Sequence, residues 1–234
     1  MSGARGKRRF LLALCAFGAL LFASLGVWQV QRLAWKLDLI ERVDARVHSP
    51  PTAVPPEAWR TANAQRDEYR HVQVQGTFLH DRATLVDALT ERGAGYWVVT
   101  PLRTPDGVVL INRGFVPSKG TVVVGAGESK PVTVTGLLRM TEPGGRFLRP
   151  NDPTQDRWFS RDVAAIARAR GLGPVAPFFI DADAGPNPRK YPIGGLTVVR
   201  FRNAHLVYAL TWFCLAALCV VGLVLVRRSR DTGA

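Results

Sequence analysis

Two stretches of the chain break from an otherwise mixed pattern because they contain no fixed charge. Phe10 to Val30 is the first, and its 21 residues at about 1.5 Å each make roughly 31 Å, enough to cross a hydrocarbon core of about 30 Å. The second runs from Ala204 to Val226 and is uncharged apart from the titratable His205 in its first turn. Its length is similar or slightly greater, so it too can span. A cleaved signal peptide would have an apolar stretch of only ~7–15 residues and a small-residue cleavage site, and the first run has neither. Both runs are therefore expected to stay in the protein as transmembrane helices.

Between them the period changes from helical to two. Val72, Val74, Gly76 and Phe78 alternate with His71, Gln73, Gln75 and Thr77, the signature of a strand with one buried face. A second strand is expected over Thr84 to Leu89. Tyr96 to Arg103 and Val108 to Asn112 form a pair joined by Thr104-Pro105-Asp106-Gly107, whose turn chemistry suits a tight hairpin. Val132 to Arg139 alternates again, and Phe178 to Asp181 and Leu196 to Phe201 are shorter candidates. One helix is expected among them, capped by Ser160, favoured at its positive end by Asp162 and closed by Gly171. Ser49-Pro50-Pro51 through Pro55-Pro56 cannot continue a helix and predicts a stiff linker.

The expected fold is a membrane protein in which two transmembrane α-helices flank an extracytoplasmic β-rich domain, a small barrel or sandwich of α+β type. Its expected divisions are a basic tail over 1–9, a first span over 10–30, a helix exit and Pro-rich linker over 31–58, the β-rich domain over 59–202, a second span over 203–226 and a basic tail over 227–234.

The formal charge of +13 would suggest nucleic acid if it formed a stripe, but it is scattered. Arg5, Lys7, Arg8 and Arg9 precede the first span, and Arg227, Arg228 and Arg230 follow the second. By the positive-inside rule both termini are cytoplasmic and the middle is exported, in a multi-pass protein of the plasma (inner) membrane. Arg32 and Lys36 oppose that rule locally, with Asp38 and Glu41 offsetting them. Trp28, Arg32, Trp35 and Lys36 recur at helical spacing where the first span leaves the bilayer, as an interfacial anchor does.

Candidate chemistry is sparse. Cys15, Cys214 and Cys219 all fall in the spans, so the exported section has no thiol for a disulfide, a copper site or c-type haem attachment. No nucleophile elbow, H-E-x-x-H or P-loop spacing occurs, and no enzyme is expected. His48, His71 and His80 lack ligand-spaced partners and suit solvated surface positions. His205 differs, because a polar side chain at the edge of a span needs a partner or an interfacial role. Tyr208, Ala209 and Trp212 share its helix face, which could accept a flat ring. A neutral imidazole is a common axial haem ligand, and Arg200 and Arg202 stand where propionates would emerge. An interfacial His-Tyr-Trp belt has the same spacing, and the spacing leaves both open.

Several separate segments resemble the Surfeit locus protein 1 family of cytochrome c oxidase assembly factors, from about Leu25 to about Leu215. Gly26-Val27-Trp28-Gln29 with Arg32, Trp35 and Lys36 is similar to the family's first-span exit, and Tyr69, Val72, Gly76 and Phe78 to its first strand. Gly95-Tyr96, Thr100-Pro101-Leu102 and Asn112-Arg113-Gly114-Phe115-Val116-Pro117 follow, then Gly136, Arg139, Glu142, Phe147, Pro150-Asn151 and Trp158. Asn203-Ala204-His205-Leu206 and Tyr208-Ala209-Leu210-Thr211-Trp212 resemble its second-span entry. Departures are Phe115 for Trp, Ala204 for Asn, and Leu196 where Gln often follows the paired glycines. The resemblance implies a bacterial assembly chaperone that binds haem a transiently and assists its delivery to the oxidase catalytic subunit. It raises haem-iron ligation by His205 above the belt, with Tyr208, Trp212, Arg200 and Arg202 as further binding residues. The haem a biosynthetic enzymes are further candidate partners. A cofactor-free scaffold for the catalytic subunit is the alternative.

Overall fold

Helix, strand and loop positions come from a computed structural model that describes residues 2–121, 130–186, 190–197, 199 and 203–228. In chain order the elements are α1 (Ser2–Val47), β1 (Thr52–Ala53), α2 (Pro56–Thr61), α3 (Ala64–Asp67), β2 (His71–Phe78), β3 (Thr84–Thr90), β4 (Gly93–Thr104) and β5 (Gly107–Val116). There follow β6 (Val132–Met140), β7 (Gly145–Arg146), β8 (Arg149–Pro150), α4 (Val163–Ala169), β9 (Val175–Ala182) and α5 (His205–Arg228). They divide into two units, Met1–Arg42 with Arg200–Ala234, and Val43–Val199.

The first unit holds the two helices long and apolar enough to cross a membrane. They lie antiparallel. At one end Arg8 donates from Nε to the Val226 carbonyl (3.1 Å) and from Nη2 to that of Arg227 (3.2 Å), satisfying carbonyls that the last turn of α5 leaves without an intrahelical partner. Further along, Phe22 stacks on Trp212 with ring centroids 5.7 Å apart. Small residues permit the close approach: a Cβ on Gly26 would lie 2.6 Å from the Phe213 ring, and one on Gly18 would lie 2.9 Å from Cys219 Sγ. Across from them Ala209 and Ala216 are buried.

The second unit is built on a seven-stranded sheet in the order β1-β2-β6-β9-β5-β4-β3, which an additional β2–β4 pairing closes upon itself. The closed ring is β2-β6-β9-β5-β4, with β1 and β3 as outlying strands. Closure occurs where Thr77 and Phe78 pair with Arg103 and Leu102. Gly76 is needed beside that seam, because any Cβ there would collide with the Arg103 carbonyl oxygen. The long β4 can serve three neighbours because its register shifts between Trp97 and Val99, the mark of a bulge that bends the strand.

The barrel has two cores. Val72, Leu102, Val109, Ile111, Val134, Leu138, Phe178 and Ile180 fill the interior. Val86, Val99, Leu110, Trp158, Val163, Ile166 and Phe179 form a second cluster that includes residues of α4. Val109 and Ile111 serve one core while Leu110 serves the other, and Phe178 and Ile180 are likewise separated from Phe179. Burial on both faces explains why these strands read as continuous apolar runs. The hairpin turn lies between Thr104 and Gly107, which pair directly, and the Thr104 hydroxyl accepts from the Asp106 N–H at 3.2 Å.

Several expected boundaries change. The helix of the first span continues beyond the uncharged stretch through Arg32, Trp35 and Lys36 and runs on to Val47, since nothing before Pro50 breaks it and charged side chains past Val30 can be solvated. The domain begins before Trp59, because Thr52 and Ala53 pair in parallel with Val72 and Gln73. The Pro-rich segment is thus partly an edge strand, a place where proline is tolerated. Asp162, not Ser160, caps α4, its carboxylate accepting from the Ala165 N–H at 3.0 Å. Ser160 is instead buried and donates to the Glu142 carbonyl at 2.6 Å. Gly171 closes α4 as expected, at φ +60°, with the Leu172 N–H reaching the Ala167 carbonyl. Leu196, Thr197 and Val199 are not in a strand, and Val198, Arg200 and Phe201 lie outside the described residues.

Candidate functional site

Among the described residues of the span pair, Gln29 is the buried polar one, with 9% of its surface exposed. It lies one residue from the end of the uncharged stretch of α1, and His205 is the first residue of α5, so antiparallel packing brings them together. His205 Nδ1 is 2.8 Å from Gln29 Oε1. Where that amide oxygen accepts from Nδ1–H, the ring's second nitrogen, Nε2, is left to carry the lone pair. Asn203 Oδ1 accepts from the His205 backbone N–H at 3.4 Å, a further tie at the start of the helix.

The other expected site residues have different surroundings. Trp212 shares the Gln29-facing side of α5 with His205, but its ring is covered by Phe22. Tyr208 is 53% exposed. Arg200 and Arg202 lie outside the described residues. At the exit of the first span, Trp28 and Trp35 are half exposed, and the Arg32 guanidinium sits 4.7 Å from the Trp35 ring centroid. Lys36 follows on the same helix.

The barrel unit contains a second polar centre, around Asp181. Its buried carboxylate accepts from Asn112 Nδ2 (2.7 Å), Arg139 Nη1 (3.0 Å), Arg161 Nη1 (2.9 Å) and the Thr197 hydroxyl (2.9 Å). Arg139 also donates to Glu68 Oε1 at 2.8 Å, and Arg161 to Glu142 Oε1 at 2.6 Å. Aromatic faces complete the cradle, with Tyr69 4.8 Å from the Arg139 guanidinium and Phe179 4.5 Å from that of Arg161. Burial alone would lower the Arg139 pKa, but Asp181 and Glu68 outweigh it and hold it above the ordinary value. Burial would likewise raise Glu142, whose pKa Arg161 instead pulls down.

The family resemblance named Asn112, Arg139 and Glu142 as separate motif positions and missed the acidic hub around which they gather. Asp181 ends an apolar run, and a charge adjoining so buried a strand was the available signal. Two histidines also depart from solvated surface positions. His71 bonds through Nδ1 to the Ser49 carbonyl (2.8 Å) and through Nε2 to Asp183 (2.9 Å). Burial would lower its pKa, but the bonds to Asp183 and Ser49 raise it above the ordinary 6.5. His80 lies 3.3 Å from Arg113 Nη1, and burial together with that cation lowers its pKa. Among the described residues no group of three or more His, Cys, Asp or Glu side chains is placed to hold a metal ion.

The sequence model of the SURF1 family matches residues 16–217. Surfeit locus protein 1 of Homo sapiens is 38% identical over 229 residues, covering 88% of this chain and 72% of the human protein. The mouse protein of the same name, from Mus musculus, is 38% identical over 233 residues, covering 88% and 70%. A SURF1-like protein of Monosiga brevicollis is 35% identical over 222 residues, covering 88% and 83%.

Proposed function

The chain belongs to the SURF1 family, and from that premise we propose that it is an assembly factor for haem-copper cytochrome c oxidase. In this reading it binds haem a at the outer edge of its spans and assists delivery to the oxidase catalytic subunit, with the haem a biosynthetic enzymes as upstream partners. The observation that carries the reading is the His205–Gln29 pair. A neutral imidazole whose Nδ1–H is held by a neighbour and whose Nε2 has a lone pair has the donor chemistry of an axial iron ligand. The donor set therefore fits the cargo. The haem would supply an iron centre able to exchange one axial ligand for another, and this chain would hold it until the oxidase subunit offers tighter ligation. No covalent bond chemistry is asked of the chain, which acts as a chaperone and not as an enzyme.

The same reading places the protein in the plasma (inner) membrane, with both termini cytoplasmic and the barrel unit exported. The antiparallel helices support it, because they bring Arg8 beside Arg227 at one end of the pair, as a positive-inside arrangement requires. One observation favours the scaffold alternative: Phe22 covers Trp212, so that ring is committed to holding the helices together.

Coexpression with the haem a biosynthetic enzymes, followed by a spectrum of the isolated protein, separates the two. A haem carrier is expected to show a haem a spectrum that His205→Ala removes while protein level and membrane insertion persist. If His205→Ala retains both the wild-type spectrum and normal oxidase assembly, the ligand assignment fails and the scaffold takes its place.

A further inference from the structure

We propose that Gln29 is the positioning residue for His205, and that its neutral amide oxygen sets how strongly Nε2 binds iron and therefore how readily the cargo is released. The proposal rests on the haem reading above. It begins from the cost of a polar side chain in a span. Gln29 is buried at a bilayer edge, where an unsatisfied amide is expensive, and its oxygen lies 2.8 Å from His205 Nδ1.

The approach of the two groups is set by packing as well as by their own rotamers. Gly26 precedes Gln29 by three positions, and its missing side chain admits the Phe213 ring. Ala209, one turn beyond His205, is 2% exposed. A bulky residue at either place would widen the gap and lengthen the bond. The hydrogen bond is thus held by the helix pair, which keeps the imidazole in one orientation and one tautomer.

The identity of the acceptor then has a chemical consequence. A carboxylate at this position would draw the Nδ1 hydrogen strongly, give the ring imidazolate character and make Nε2 a stronger donor to iron. A neutral amide orients the ring without that increase. A residue that must first hold and then surrender a macrocycle is served by the weaker ligand, and the amide also avoids burying a charge between the spans. Were the amide turned to donate to Nδ1, Nε2 would carry the hydrogen and could not bind iron. Replacing Gln29 by an acceptor-only side chain separates these two arrangements.

The test uses the full chain, loaded in cells that make haem a and purified into nanodiscs, with haem per protein, reduced and oxidised spectra, midpoint potential and rate of haem loss to apomyoglobin all measured at pH 8. Gln29→Glu is expected to keep the haem, lower the midpoint potential and slow its loss. Gln29→Leu is expected to leave protein level intact and weaken haem retention by about 10–100-fold, the usual effect of removing a partner that orients a ligand. A purely structural bond would move protein level in both variants but not the potential in Gln29→Glu. The proposal is overturned if Gln29→Glu loses haem as His205→Ala does, since an acceptor at this position then fails to support ligation by Nε2. It is also overturned if both Gln29 variants match the wild type in spectrum, potential and loss rate while His205→Ala alone loses haem, a result that leaves the haem reading standing. Retention of haem by His205→Ala instead defeats the haem reading itself, and this proposal with it.

Discussion

Replacing Asp181 by alanine removes one carboxylate from the centre of the barrel unit and tests whether that polar hub holds the fold together. Asp181 is 4% exposed and faces Arg139 and Arg161, whose side chains are 16% and 13% exposed. Breaking a buried ion pair from one side typically costs about 3–5 kcal/mol, because the remaining charge stays desolvated. Here each arginine keeps another carboxylate, Glu68 for Arg139 and Glu142 for Arg161. The expected loss is therefore at the lower end, about 3 kcal/mol. For a domain the size of Val43–Val199, each kcal/mol moves Tm by about 2–4 °C, so Tm should fall by roughly 6–12 °C. The assay is thermal unfolding of the full chain in nanodiscs, followed by the β signal in circular dichroism. Asp181→Asn, which keeps the shape without the charge, should lose an intermediate amount, and Asp81→Ala should lose little, since the Asp81 side chain is 77% exposed. An Asp181→Ala protein within about 0.5 kcal/mol of wild type, the range of ordinary surface substitutions, would refute the reasoning.

Thr100→Val should stabilise the barrel by about 1 kcal/mol in the same assay, because the Thr100 hydroxyl is buried without a hydrogen-bond partner and valine has nearly its shape; a loss of stability would show that the hydroxyl has a partner after all. Gly114→Ala should cost at least about 2 kcal/mol, since φ is +127° and a Cβ would meet the Ile193 carbonyl; a wild-type Tm would contradict the close approach. His71 should make stability depend on pH. Its folded pKa is raised, so its contribution is complete below the ordinary value of 6.5 and is lost as pH rises through the folded value. Asp183→Asn should flatten that loss across pH 6 to 9 in denaturant titrations, and an unchanged slope would remove His71 as its source.

The two spans, the alternating strands and the hairpin at Pro105-Asp106 were legible because each follows from local periodicity and turn chemistry. So was the singularity of His205, a titratable group in an otherwise uncharged run. Where the first helix ends after Lys36 was not, because solvated charges neither favour nor forbid further turns, and only Pro50 sets a limit. The choice between sandwich and barrel was also beyond local pattern. It depends on Gly76 meeting Arg103 and on the bend in β4, contacts between residues more than ten positions apart. The same holds for both polar centres. The family resemblance marked Asn112, Arg139 and Glu142 as separate motif positions, but their gathering around Asp181, with Glu142 reaching it through Arg161, required the β5, β6 and β9 registers. Sequence also placed Gln29 and His205 at the ends of two spans without joining them. Their pairing was decided by antiparallel helix packing, which glycine and alanine permit because small side chains let two backbones approach closely.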